Sequence, residues 1–175
     1  SWENPAVGYD LRDYGMPLDN LAMTTQTFLG TQVVCAQCHD HPFEEWTQMD
    51  YYHLSAFTYG MVSTNGIELQ NDAIKELTKK KGKLNPEFSR DLRRAYSNIL
   101  FPVRFNNVFE RERALRLPHD YQYEDARPKS VVSPATLMGN EAVMSPSTPL
   151  IDSFGEWLVS KENPRFTKVI ANRMW

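Results

Sequence analysis

The only two cysteines in the 175 residues fall in one pentapeptide, Cys35-Ala36-Gln37-Cys38-His39. Thiols at this spacing can add across the two vinyl groups of a single porphyrin, and the next residue can bring an imidazole nitrogen under the iron. Cys-x-x-Cys-His therefore reads as a c-type haem attachment site, with Cys35 and Cys38 holding the macrocycle and His39 as proximal ligand. Two other chemistries use the same residue types. A thiol redox pair needs a low-pKa cysteine at a helix N-terminus, usually after a strand, and Gln32-Val33-Val34 is too short to be that strand. A structural zinc site has ligands of the right kind in Cys35, Cys38, His39 and His41. Such sites normally join two distant ligand pairs, however, and ligands this close in sequence would strain a tetrahedron.

The second axial position of the iron is open at this level. His41 is too near His39 to reach the opposite face of the same ring. Its roles are a hydrogen bond to a propionate, a contact to a neighbouring haem, or plain structure. His53 and His119 lie at distances that permit a return to the distal side, so either is a candidate distal ligand. Met16, Met23, Met49, Met61, Met138, Met144 and Met174 compete, although a methionine is more often core packing. Trp46 and Tyr52 join His41 as candidates to surround the haem. An iron without a distal ligand would permit peroxide or small-ligand chemistry.

These residues need elements to hold them. Apolar Leu21, Ala22, Phe28, Leu29 and Val33 recur at helical spacing, which predicts a helix over 18–34 that delivers the motif. Gly30, one turn before the cysteines, is either a close-approach point for a flat macrocycle or a tolerated helical glycine. A second helix is expected from about Thr47 to Tyr59, stopping at Gly60 and dense in aromatics: Tyr51, Tyr52, Phe57 and Tyr59, with Trp46 just before it. These side chains are core, porphyrin walls, or both.

Upstream, residues 1–16 carry Pro5, Gly8 and Gly15 without a sustained period and read as an extended lead-in. Downstream, 61–70 reads as a loop around Asn65-Gly66 and 71–81 as a short charged helix ended by Gly82. Asn85-Pro86 starts a helix through Leu100, with Phe88, Leu92, Tyr96 and Ile99 on one face. Ala114–Pro118, Tyr121–Glu124 and Ser130–Ser133 alternate with a period of two and predict a small irregular β ribbon. A Pro- and Ser-rich connector over 133–149 leads to two helices, capped at Thr148-Pro149 and at Asn163-Pro164. The expected fold is mainly α, an irregular helical c-type cytochrome-like domain with a small β ribbon. Residues 1–133 are its haem-binding part; 134–175 are a connector and the start of a second helical module.

Composition narrows the partners. A net charge of -3 argues against nucleic acid or an anionic membrane surface. No stretch approaches the roughly 20 apolar residues of a membrane span. Both ends read as cut, and thioether attachment occurs after export. The chain is therefore expected to be an interior piece of a longer exported protein, periplasmic or extracellular, whose signal lies outside this sequence.

A family resemblance adds to this. Phe28-Leu29-Gly30-Thr31-Gln32, then Cys35 through Phe43, then Trp46-Thr47-Gln48, Asp50-Tyr51-Tyr52 and Ala56-Phe57, resemble the planctomycete cytochrome-like domain of unknown function. Trp157 through Phe166, with Asn172-Arg173-Met174-Trp175, are similar to the start of the uncharacterised domain that follows it in large exported proteins. The resemblance implies a haem-bearing module in a larger extracytoplasmic polypeptide. The functional expectation is electron transfer, with a redox partner protein or a neighbouring haem as partner. The alternatives are a haem-dependent enzyme with an open iron position and a zinc-stabilised structural module. No Gly-rich phosphate loop, Gly-x-Ser-x-Gly or His-Glu-x-x-His offers another catalytic centre.

Overall fold

A computed structural model describes residues 5–13, 16–63, 67–82, 85–100, 108–139 and 141–175. They are mainly helical, with one small sheet. The helices are α1 (Val7–Leu11), α2 (Pro17–Thr24), α3 (Gln48–Ser55), α4 (Ile67–Lys81), α5 (Pro86–Leu100), α6 (Leu150–Leu158) and α7 (Phe166–Met174). Strands β1 (Met61–Ser63) and β2 (Val108–Glu110) pair with each other. Among the described residues no helix is long and apolar enough to cross a membrane.

The chain forms two compact units. One comprises Ser1–Gly15 and Ser63–Phe109, the other Met16–Val62 and Glu110–Trp175. Residues 134–175, read above as connector and second module, thus share a unit with the motif. In the first unit α4 packs against α5. Asn85 Oδ1 accepts from the Glu87 amide at 2.9 Å, so the cap read at Asn85-Pro86 forms. Of the apolar stripe on α5, Phe88 and Ile99 stand exposed.

The second unit holds two apolar clusters. Ala22, Val33, Ala36, Trp46, Tyr51 and Tyr52 pack with Leu115, Leu117, Tyr121 and Val132. Leu21, Leu29, Leu54 and Phe57 pack with Phe154, Trp157 and Leu158 of α6. The aromatics around α3 are thus core, shared between both clusters. Burying each such side chain is worth about 1.5–3 kcal/mol.

The helix expected over 18–34 stops short. The α-helix ends at Thr24, continues as a π-helical turn over Thr25–Leu29, and closes at Gly30 in the left-handed region with φ 59°. Hydroxyls explain the change: Thr24 Oγ1 donates to Asn20 O at 2.8 Å, and Thr25 Oγ1 to Ala22 O at 2.9 Å. Such bonds compete with the helical ladder and widen it. Gly30 admits a neighbouring helix: a Cβ there would lie 3.0 Å from Val169 Cγ2 of α7.

The second helix is likewise shorter than expected. Ser55 Oγ donates back to Tyr51 O at 2.7 Å, and residues 56–60 continue as turns rather than α-helix. Three other expectations change. Residues 7–11 of the lead-in are helical. Residues 61–63 are strand and α4 already begins at Ile67, while Asn65-Gly66 lies outside the described residues. The ribbon reduces to one antiparallel bridge, Arg116 with Val131, flanked by Leu117 N to Ser130 O and Val132 N to Leu115 O, each 3.0 Å. Tyr121–Glu124 forms no strand. The Tyr121 phenol donates to Asp125 Oδ1 at 2.6 Å and its ring meets Tyr123 edge-on, which closes a turn instead.

Candidate functional site

The pentapeptide lies on a 3-10 turn, Val34–Gln37, packed against α3. Ala36 is fully buried and pins the turn to the core, while Val33 does the same one residue before it. That anchoring turns both neighbouring cysteines outward. Cys35 and Cys38 are free thiols, exposed on the surface. The Cys38 and His39 amides both donate to Cys35 O, at 3.3 and 3.4 Å, so the two thiols and the imidazole share one tight backbone loop.

The loop after the motif is fixed by a chain of polar contacts. Asp40 Oδ1 accepts from the Gln48 amide at 2.8 Å, which puts a carboxylate at the N-terminus of α3, where the helix dipole favours it. Gln48, itself buried, donates from Nε2 to Gln37 O at 3.0 Å. Thr47 and Asp50 close a reciprocal capping box. The Asp40 amide donates to the Tyr123 hydroxyl at 2.7 Å, joining the motif to a residue 83 positions away. Asp40 and Gln48 entered the sequence reading only through the family resemblance, and Tyr123 only as part of the expected ribbon, none of them with a role at the motif. The Thr47…Asp50 spacing was a local signal; Tyr123 had none.

The histidines differ in what their rings are doing. His39 is exposed, and its Nδ1 lies 2.7 Å from Asp40 O. A carbonyl only accepts, so Nδ1 carries the proton and Nε2 keeps its lone pair, the arrangement that readies an imidazole to ligate. His41 is the reverse. Its Nδ1 accepts from the Phe43 and Glu44 amides, at 3.2 and 3.0 Å, and its own amide donates to Trp46 O at 2.8 Å. The proton of the neutral ring is therefore on Nε2, and the side chain organises the turn over 41–46.

His53 Nδ1 donates to Ser133 O at 2.6 Å, and His53 O accepts from Ala135 N at 3.2 Å. With Met49 one turn earlier, His53 lines a cavity of about 380 Å³ that Leu117, Asp125 and Val132 also border. His119 stands on the surface, its side chain 81% exposed and its Nδ1 3.8 Å from Asp120 Oδ1. Burial raises the pKa of the Tyr52 phenol, and the charges of Cys38 and Asp120 raise it further.

Residues 10–62 match the family model PSCyt2, described as a protein of unknown function (DUF1549). That match supports a planctomycete-type domain of unknown function over these residues. It contains the whole motif loop and α3, and it ends where the first segment of the second unit ends. No curated protein and no solved structure matches the chain.

The residues present fit a covalent haem. Two unpaired thiols stand exposed on one short turn beside an imidazole whose Nε2 is left free. Apolar Val34 and Phe43, the latter 92% exposed, flank them as uncovered surface that a macrocycle would bury. Zinc fits less well: among the described residues no three His, Cys, Asp or Glu side chains gather as a metal site, and His41 Nδ1 already serves two amides.

Proposed function

We propose that this chain is a c-type haem-binding module that carries electrons within a larger exported protein. The carrying observation is the pair of free, outward-facing thiols beside an imidazole held by its Nδ1 proton. Each thiol would form one thioether: the S–H adds across a vinyl group, sulfur taking one carbon and the proton the other. Haem c, when bound, supplies a one-electron iron couple whose potential follows from its axial ligands, burial and neighbouring hydrogen bonds.

The chain's own residues supply the rest. His39 would hold the iron through Nε2, its ring oriented by the bond from Nδ1 to Asp40 O. Asp40 is in turn held by Tyr123 and Gln48. Tyr52 belongs with Ala36, Trp46 and Tyr51 to the buried aromatic cluster that keeps the turn in place. His53 and His119 are the candidate distal ligands, and each keeps a ring nitrogen available. A second nitrogen ligand would favour a low-potential carrier, with a redox protein or a neighbouring haem as partner. The mainly helical second unit would then be a cytochrome-like domain, acting in the periplasm or outside the cell.

Absorption of the pyridine haemochrome tests this reading. Chain produced in a host with haem-attachment machinery should give the spectrum of a thioether-linked haem, and Cys35→Ala with Cys38→Ala should abolish it. A five-coordinate ferrous protein that binds carbon monoxide rapidly would move the assignment from carrier to haem enzyme.

A further inference from the structure

Beside the motif lies a cavity of about 170 Å³ that thioether attachment and iron ligation do not use. Gly30, Thr31 and Gln32 form one wall, and four side chains complete it: His41, Glu44, Trp46 and Arg165. Three of the four are donors in want of an acceptor. The Trp46 indole N–H is buried without a partner, and an indole nitrogen can only donate. His41 accepts two amides at Nδ1, so its remaining proton is on Nε2. Arg165 carries a permanent positive charge and forms no ion pair with any described residue. Its backbone is held in place because its amide donates at 3.1 Å to Oδ1 of the buried Asn163.

The chemistry of this lining selects its ligand. A neutral carbonyl would satisfy the indole but leave the guanidinium uncompensated. A dianion would meet Glu44, the one carboxylate on the wall. A single carboxylate has one charge for Arg165 and two oxygens to share among guanidinium, indole and imidazole, the geometry in which such hydrogen bonds are strongest. The volume admits a small acid or the end of an acidic arm, not a macrocycle. We infer that the cavity bordered by Trp46, His41 and Arg165 is a carboxylate-binding site. Its occupant is either a propionate arm of the haem or a free small monocarboxylate. The site stands on its own donors, independent of whether haem is attached.

The test uses the full chain, isotopically labelled and made without haem-attachment machinery, titrated with sodium propionate against sodium chloride at equal ionic strength. The Trp46 indole N–H resonance, assigned by its loss in Trp46→Phe, should move saturably with propionate together with the Arg165 side-chain resonance. Arg165→Gln should weaken the response about tenfold, with the rest of the amide spectrum preserved. A Trp46 resonance that ignores propionate, or that moves equally with chloride, would overturn the site. The haem-loaded chain then identifies the source. If its Trp46 resonance already sits at the propionate-bound position and no longer responds to added acid, the haem's own arm is the occupant. If it still responds, the occupant is a free carboxylate.

Discussion

Three histidines in and near the motif share a side chain but not a protonation pattern, and the hydrogen-bond partner of Nδ1 explains why. A carbonyl opposite His39 and His53 forces the proton onto Nδ1; two amides opposite His41 force it off. His41→Ala should therefore cost about 1 kcal/mol of stability, for the lost acceptor on a partly exposed turn, and leave the visible spectrum of the haem-loaded chain unaltered. His39→Ala should change that spectrum. Denaturant titration and ferric absorption of the two variants check the pair, and a His41→Ala spectrum that loses its low-spin bands would show that the turn role is misassigned. Tyr123→Phe is the matching test at long range. It leaves the Asp40 amide without its acceptor and should destabilise by about 1–2 kcal/mol.

The elements show which signals are local. Gly30 is held at φ 59° with Val169 Cγ2 3.0 Å from where a Cβ would be, so Gly30→Ala should cost about 1–2 kcal/mol, measurable as a lowered unfolding midpoint. Gly60→Ala should cost more, because its Cβ would lie 2.7 Å from the Arg111 backbone oxygen, which cannot rotate away. Caps written into a few adjacent residues were legible in the sequence: Asn85-Pro86 at α5 and the start of α3 after Thr47. So was the motif itself. At α6 the expected start was close, but Pro149 is the residue before the helix and no side chain caps it. What sequence missed depends on competition or on distance. The helical period through Phe28 and Val33 continues past the point where Thr24 and Thr25 divert carbonyls into side-chain bonds, and periodicity cannot register that. The alternation around Tyr121 looks like a strand, yet the tyrosines pack on each other and on Asp125. The link from Asp40 to Tyr123 and the placement of Arg165 beside Trp46 arise only from the tertiary fold.

At the scale of the molecule, the polar core sets an alkaline limit on stability. Burial raises the pKa of the Tyr51 phenol, which donates to Leu18 O at 2.8 Å, and burial with the Asp125 bond raises that of Tyr121. Both are held neutral in the folded state above the ordinary tyrosine value of about 10, so the unfolded chain releases protons first as pH rises. Their contribution is complete below that value and lost above it. Unfolding free energy should be level from pH 8 to 9.5 and fall beyond about pH 10, less steeply in Tyr51→Phe. The same aromatic core carries the motif turn on its surface, and the two thiols of that turn carry the proposed function. Intact mass under denaturing conditions, for protein made in a host with haem-attachment machinery, tests it most directly. A mass above the polypeptide by one haem, lost only when Cys35 and Cys38 are replaced, is the expected result; the bare polypeptide mass from that host would contradict it.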